Sequence, residues 1–262
     1  MRATNDQLTL RAAQAEVIVD VGAGGRLASL SIDGTEVLWA GPDGLGNDDP
    51  LAWGCYPMIP FAGRIRNGKF TFDGTDYALP QTMGPHAMHG YGYISEWTRV
   101  DDTTIEWDFT EPWPFAGRAT QSFALTANSL TLTMRIEATD RQPILVGWHP
   151  WFVRENAAGT LEVELPAESM YLRDGEGMPG ELISVPPGPW DDCFTNLSGP
   201  PRLRWGDLEL SLGSDFDHWV VFDERTHALC VEPQGGPPNE INSAPNVLDA
   251  GEELAATFTL EW

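Results

Sequence analysis

His149 lies in the run GWHPWF, directly after Ile144, Leu145 and Val146 and directly before Pro150. This placement predicts an imidazole at a strand end, walled by Trp148, Trp151 and Phe152. Imidazole titrates near neutrality, so such a group can donate a proton at physiological pH. It can equally be a structural histidine packed among aromatics. Glu232 follows the apolar run ALCV and precedes PQGGPP. A carboxylate in that position is predicted to be partly desolvated and poised to accept a proton. The competing reading is an ordinary rim carboxylate in a chain with 39 acidic residues. Asp191 and Asp192, in PWDDCF, read either as a solvated turn or as a site that binds hydroxyls. Arg64 and Arg66, in AGRIRNGKF, could clamp a ligand oxygen or pair with the many acids. His86 and His89 stand three apart in PHAMHGYGY, a spacing that can suggest a metal. Pro85 and Gly90 argue against a helix there, and no third ligand follows at a familiar spacing, so no metal site is expected.

The elements that must hold these groups read as strands. Ala15 to Asp20, Thr103 to Phe109, Leu130 to Ile136, Leu161 to Leu165 and Leu208 to Leu212 alternate apolar and polar residues. Period two with one buried face is the mark of antiparallel sheet. Trp219 to Phe222 and Ala256 to Trp262 add two more strand-like runs. Asp33-Gly34 and Asp73-Gly74 each separate two such runs and predict hairpin turns, where both central residues take positive φ. With 27 Gly and 21 Pro spread along the chain, few windows remain for a helix of three turns. The pattern predicts an all-β sandwich or barrel, one domain spanning residues 1–262, with loop-rich segments from Ala40 to Pro60 and from Ser169 to Pro201.

Composition narrows the partners. A formal net charge of −24 repels phosphate backbones and anionic lipid heads, so neither nucleic acid nor membrane is an expected partner. Cys55, Cys193 and Cys230 are odd in number and lack CxxC spacing, which fits a reduced, cytoplasmic protein better than a disulfide framework. The opening residues show no apolar core of signal-peptide type, and no window is apolar enough to span a bilayer. Eleven tryptophans are many for this length, and Trp53, Trp113, Trp148, Trp151 and Trp190 sit beside polar groups. Sugars present apolar C–H faces and polar edges, which suit aromatic floors ringed by donors and acceptors. Tryptophans that simply fill a sandwich core are the plainer reading for most of the eleven.

In order, the stretches PMIPFAGRIRNGKFTFDGTDYALP, HAMHGYGYISEW, GWHPWF, WDDCF and VEPQGGPPNEIN resemble the aldose 1-epimerase (galactose mutarotase) family along nearly the whole chain. The resemblance implies a large twisted antiparallel β-sandwich. It implies interconversion of the α and β anomers of a monosaccharide by ring opening and reclosure, without cofactor, metal or covalent intermediate. Position by position, His149 matches the family's general acid and Glu232 its general base. Arg64 and His89 match an arginine and a histidine of its motifs, and Asp191 resembles an aspartate that contacts sugar hydroxyls. Such a mechanism places acid and base on opposite sides of the sugar. The chain departs from the family at Gly63, where many members have Asn, and at Gly147 and Trp148, which replace polar residues. A monomer or homodimer is expected. The readings that compete are an epimerase of a phosphorylated hexose, a glycoside hydrolase or lyase, and a non-catalytic sugar-binding module.

Overall fold

The computed structural model describes residues 6–44 and 46–262. Two large antiparallel sheets dominate it, one of eleven strands and one of nine. The larger sheet carries, side by side at its centre, the strands Cys55–Met58, Gly147–Val153, Ala228–Gln234, His218–Phe222 and Asp191–Leu197. The smaller sheet is built around Gly117–Leu125, Ser129–Ala138 and Glu253–Glu261. The expected all-β sandwich is what forms. Helical structure among the described residues is confined to the 3₁₀ turns Arg66–Gly68, Gly92–Ile94 and Glu240–Asn242. Among the described residues no helix is long and apolar enough to cross a membrane.

The alternating runs become strands at nearly the expected bounds: Ala15–Asp20, Thr104–Asp108, Gly159–Glu164 and Leu208–Ser214. Both turn dipeptides take positive φ, 51° and 75° at Asp33-Gly34 and 48° and 76° at Asp73-Gly74. The segment from Ser169 to Pro201 departs from expectation. It contains the strands Ala167–Arg173, Pro179–Ser184 and Asp191–Leu197, the first two pairing at the sheet edge through a register shift between Tyr171 and Arg173. An edge strand with one solvated face and a bulge loses the clean alternation that marks strands in sequence. Its prolines fall at turns or, for Pro179, at the first residue of a strand.

Gly147–Val153 is buried along its whole length because both of its faces are covered. On one face Trp148 packs against Phe258 of the smaller sheet at 5.9 Å between ring centroids, and Phe152 packs against Trp205 at 6.4 Å. The Trp148 indole N–H donates to Gln121 Oε1 at 3.1 Å, which satisfies the polar atom in the layer between the sheets. Period two then turns His149 and Trp151 to the opposite face, where the sheet is roofed by loops rather than by a second sheet. The core supplies a rigid floor and the loops supply a cavity above it.

Candidate active site

The floor of the site is a row of side chains that crosses the larger sheet. Tyr56 pairs with His149, Glu232 pairs with Val220, and Val220 pairs with Cys193. Between the paired ends Gly147↔Gln234 and Trp151↔Cys230, the register sets His149 directly across from Glu232. Cross-strand neighbours on one face have Cβ atoms about 5 Å apart, so the two side chains must meet. They do, with His149 Nε2 at 3.2 Å from Glu232 Oε1. Pro150 does not end its strand, contrary to the sequence expectation; it pairs with Cys55 inside it. Both Pro150 and Pro233 lack an N–H, and the ladder between the two strands is unpaired from 148 to 150. Prolines are rare in central strands, and here they adjoin the His149–Glu232 contact.

Burial governs the charge of the pair. His149 is 5% exposed and Glu232 2%, so Glu232 is more enclosed than the partly desolvated position expected of it and is not the rim carboxylate of the competing reading. Desolvation holds the Glu232 carboxyl well above the usual carboxylate range, reinforced by the Asp191 charge and opposed by Arg64. Burial likewise pushes the His149 imidazole down. Two neutral groups in contact hold one exchangeable proton between them: carboxylic acid with imidazole, or carboxylate with imidazolium. Tyr56 fixes the imidazole plane, stacked at 4.6 Å and 22°.

A short ribbon brings two further candidates together from 25 residues apart. Arg64–Ile65 pairs with Ala87–Met88, which sets Arg64 and His89 at neighbouring positions over the floor. His89 adopts φ 58°, and its backbone N–H donates to the Gly63 carbonyl at 2.9 Å. The Gly63 N–H donates back to His89 Nδ1 at 3.2 Å, which places the ring proton on Nε2 as a donor. The His89 ring meets the His149 ring edge-on at 5.0 Å. Burial, with His149 and Arg64 nearby, pushes the His89 imidazole well down, so it too is neutral. Gly63 has φ 64°, and a Cβ there would approach Pro238 Cα at 3.0 Å, which accounts for glycine at this position. His86 belongs elsewhere. It accepts from the Asn67 N–H at 3.1 Å and donates from Nε2 to the Glu176 carbonyl at 3.1 Å, a structural role.

Asp191 is not in a turn but opens the strand Asp191–Leu197, on the floor side. Arg64 Nη2 lies 3.3 Å from its Oδ2, and Arg173 Nη1 donates to the same oxygen. Arg173 also reaches Asp192 Oδ1 through Nε at 3.2 Å. Both guanidiniums sit on Oδ2, and Asp191 lines the cavity. Arg173 escapes a motif reading because it ends an irregular strand next to the sheet edge and stands 18 positions from Asp191 in the chain, so only strand pairing brings the two together. Arg66, weighed beside Arg64, turns instead to Asp174 at 2.6 Å and to Glu176.

The cavity over this floor has a volume of about 550 Å³ and is lined by all five candidates, Arg64, His89, His149, Asp191 and Glu232. Of the five tryptophans singled out in the sequence, Trp151 alone lines it. Trp148 lies between the sheets, Trp53 lies under Arg26, Trp113 packs on Phe61 and Phe70, and Trp190 packs on Phe194. His149 and Glu232 stand side by side on one wall of the cavity. His149, Cys230 and Glu232 also bring one donor atom each within 4.8 Å of one another, an N, S and O set that could hold a borderline cation such as zinc. Burial raises the Cys230 thiol well above its usual range, so such binding would have to expel its proton.

The family model for aldose 1-epimerase matches residues 6–196. The uncharacterized protein YphB of Escherichia coli is 27% identical over 158 residues, 58% of this chain and 52% of that protein. Galactose mutarotase of Sus scrofa is 27% identical over 169 residues, 60% of this chain and 48% of the pig protein. The chain thus spans about half the length of these two curated relatives. Among solved structures, a galactose mutarotase-like protein from Clostridium acetobutylicum superposes with a TM-score of 0.85 at 18% identity, over 98% of this chain and 94% of the other. Galactose 1-epimerase from Lactobacillus acidophilus gives 0.80 at 17%, over 100% and 96%. At these identities the superpositions speak for the fold alone.

Proposed function

The chain belongs to the aldose 1-epimerase family, and we propose that it interconverts the α and β anomers of a free aldose with Glu232 as base and His149 as acid. The observation that carries this reading is the buried His149–Glu232 contact of 3.2 Å on the floor of a cavity ringed by Arg64, His89 and Asp191. Ring opening removes a proton from the anomeric hydroxyl and delivers one to the ring oxygen, and closure on the other carbonyl face reverses both transfers. A pair that shares one proton carries the required count. In its carboxylate–imidazolium form Glu232 takes the hydroxyl proton while His149 protonates the ring oxygen. The pair ends as carboxylic acid and imidazole, ready for the reverse transfers on closure. His89 Nε2 and Arg64 would donate to sugar oxygens, and Asp191 would accept from a hydroxyl. Arg173 would keep the Asp191 carboxylate aimed.

Each proton-transfer group of this kind contributes roughly 10²–10⁴-fold. A phosphorylated substrate has less support, because Arg66, half of the expected arginine cluster, is held by Asp174 and Glu176. The test is polarimetry on freshly dissolved α-glucose and α-galactose. Accelerated approach to equilibrium supports the reading; saturable sugar binding without acceleration replaces it with a binding module.

A further inference from the structure

We propose that Arg26 is a positioning residue for the acid–base pair, clamping the loop segment 50–53 that holds the two rings stacked on His149. This rests on the epimerase reading. Arg26 opens the strand Arg26–Ile32 and is fully buried. A guanidinium enclosed to this degree must find acceptors for its fork of donors. It finds them in backbone carbonyls. Nε donates to Ala23 at 2.6 Å, Nη1 to Pro50 at 2.9 Å and to Trp53 at 3.0 Å, and Nη2 to Tyr93 at 2.9 Å. The same guanidinium lies 4.3 Å over the Trp53 ring and 5.3 Å from the centre of the Tyr56 ring. Segments far apart in the chain are thus tied at one point.

Between the two carbonyls held by Nη1 lies Leu51. Its own carbonyl accepts from the Tyr56 hydroxyl at 3.3 Å and from the Trp151 indole N–H at 2.9 Å. These are the two rings stacked on His149, Tyr56 at 4.6 Å and 22° and Trp151 at 5.4 Å and 24°. One backbone oxygen therefore sets the polar ends of both rings, and Arg26 sets that oxygen. The imidazole depends on this support. Its Nε2 faces Glu232, and no other residue hydrogen-bonds Nδ1 among the described residues, so stacking holds the ring plane. A shift of about 1 Å at a reacting group can cost up to roughly 10²-fold in rate. Leu51 and Ala52 also line the cavity, so the clamped segment is part of the site. The Arg26 charge adds to burial in holding the imidazole neutral.

The experiment measures kcat and KM by polarimetry for Arg26→Lys, Arg26→Met, Tyr56→Phe and the Arg26→Met/Tyr56→Phe double variant, each shown by thermal melts to be folded at the assay temperature. Lysine keeps the charge but cannot span the carbonyls as a fork. Arg26→Met is expected to lower kcat roughly tenfold and Arg26→Lys roughly threefold, with KM within about threefold because Arg64, His89 and Asp191 stay in place. Tyr56→Phe keeps the stacked ring but drops its bond to Leu51, so the double variant should fall no more than about twofold below Arg26→Met alone. An Arg26 that serves stability only lowers Tm and leaves kcat of the folded protein within about twofold. That result, or losses that multiply in the double variant, overturns the proposal. Should Arg26→Met not fold, Arg26→Lys takes its place in the cycle under the same criteria. If the unaltered protein does not accelerate mutarotation, the epimerase reading fails by itself and NMR decides the clamp: the His149 ring signals are expected to shift in Arg26→Lys, and unchanged signals overturn it.

Discussion

Glu232→Gln removes a charge state while keeping the shape of the side chain, and it has two separable consequences. The first is kinetic. Without a base at the anomeric hydroxyl the rate should fall roughly 10²–10⁴-fold, about 2.7–5.4 kcal/mol of lost transition-state stabilisation. KM should change far less, because Arg64, His89 and Asp191 remain. The second is thermodynamic. The carboxyl ionises near 4.5 in an exposed chain but well above that when buried beside His149. From pH 4.5 up to the raised value the folded protein keeps a proton that the unfolded chain has released. Its stability therefore falls as pH rises through that window. Glutamine cannot ionise, so the fall disappears in the variant. Each tenfold in proton affinity is about 1.4 kcal/mol, or roughly 3–6 °C in Tm for a chain of this size. Polarimetry measures the first effect, and thermal melts at pH 5 and pH 8 measure the second, with the variant gaining on the unaltered protein at the higher pH. A variant that keeps more than a tenth of the rate, or a Tm difference identical at both pH values, would refute the assignment of Glu232 as a buried, proton-holding base.

Three further outcomes follow from the geometry. His149→Asn should cost a similar factor in kcat, and the His149→Asn/Glu232→Gln double variant should be little slower than either single variant, because groups that share one proton act as a unit; additive losses in single-turnover rates would contradict the shared proton. Arg173→Met should raise KM roughly three- to tenfold with a smaller effect on kcat, since a partly exposed guanidinium loses much of its worth to solvent, and Arg173→Lys should recover part of the loss. Gly63→Ala forces a Cβ against Pro238 at φ 64° and should lower stability by about 1 kcal/mol or more, some 2–4 °C in Tm, while also raising KM through the displaced His89.

The fold class was legible because its determinants are local. Ala15–Asp20 and Ser129–Ala138 alternate in the chain as they alternate in the sheet, and Asp33-Gly34 marks its own turn. The pair of strands at the edge was not legible, since a bulge and one solvated face erase the periodicity there. The five candidate residues could be named from chemistry and family motifs, but residue type alone left each of them ambiguous between a functional and a structural role.

What the amino-acid order determines by itself is which groups can act: an imidazole after an apolar run, a carboxylate before a Pro-Gly loop, and prolines at 150 and 233. What the tertiary structure decided is that these groups act on each other. Pairing register sets His149 across from Glu232, although 83 residues of chain separate them, and the prolines open the ladder at that point. The smaller sheet seals the reverse face, which makes the pair dry enough to share a proton. Register and burial are properties of strands brought together from distant parts of the chain, so no reading of one strand at a time contains them.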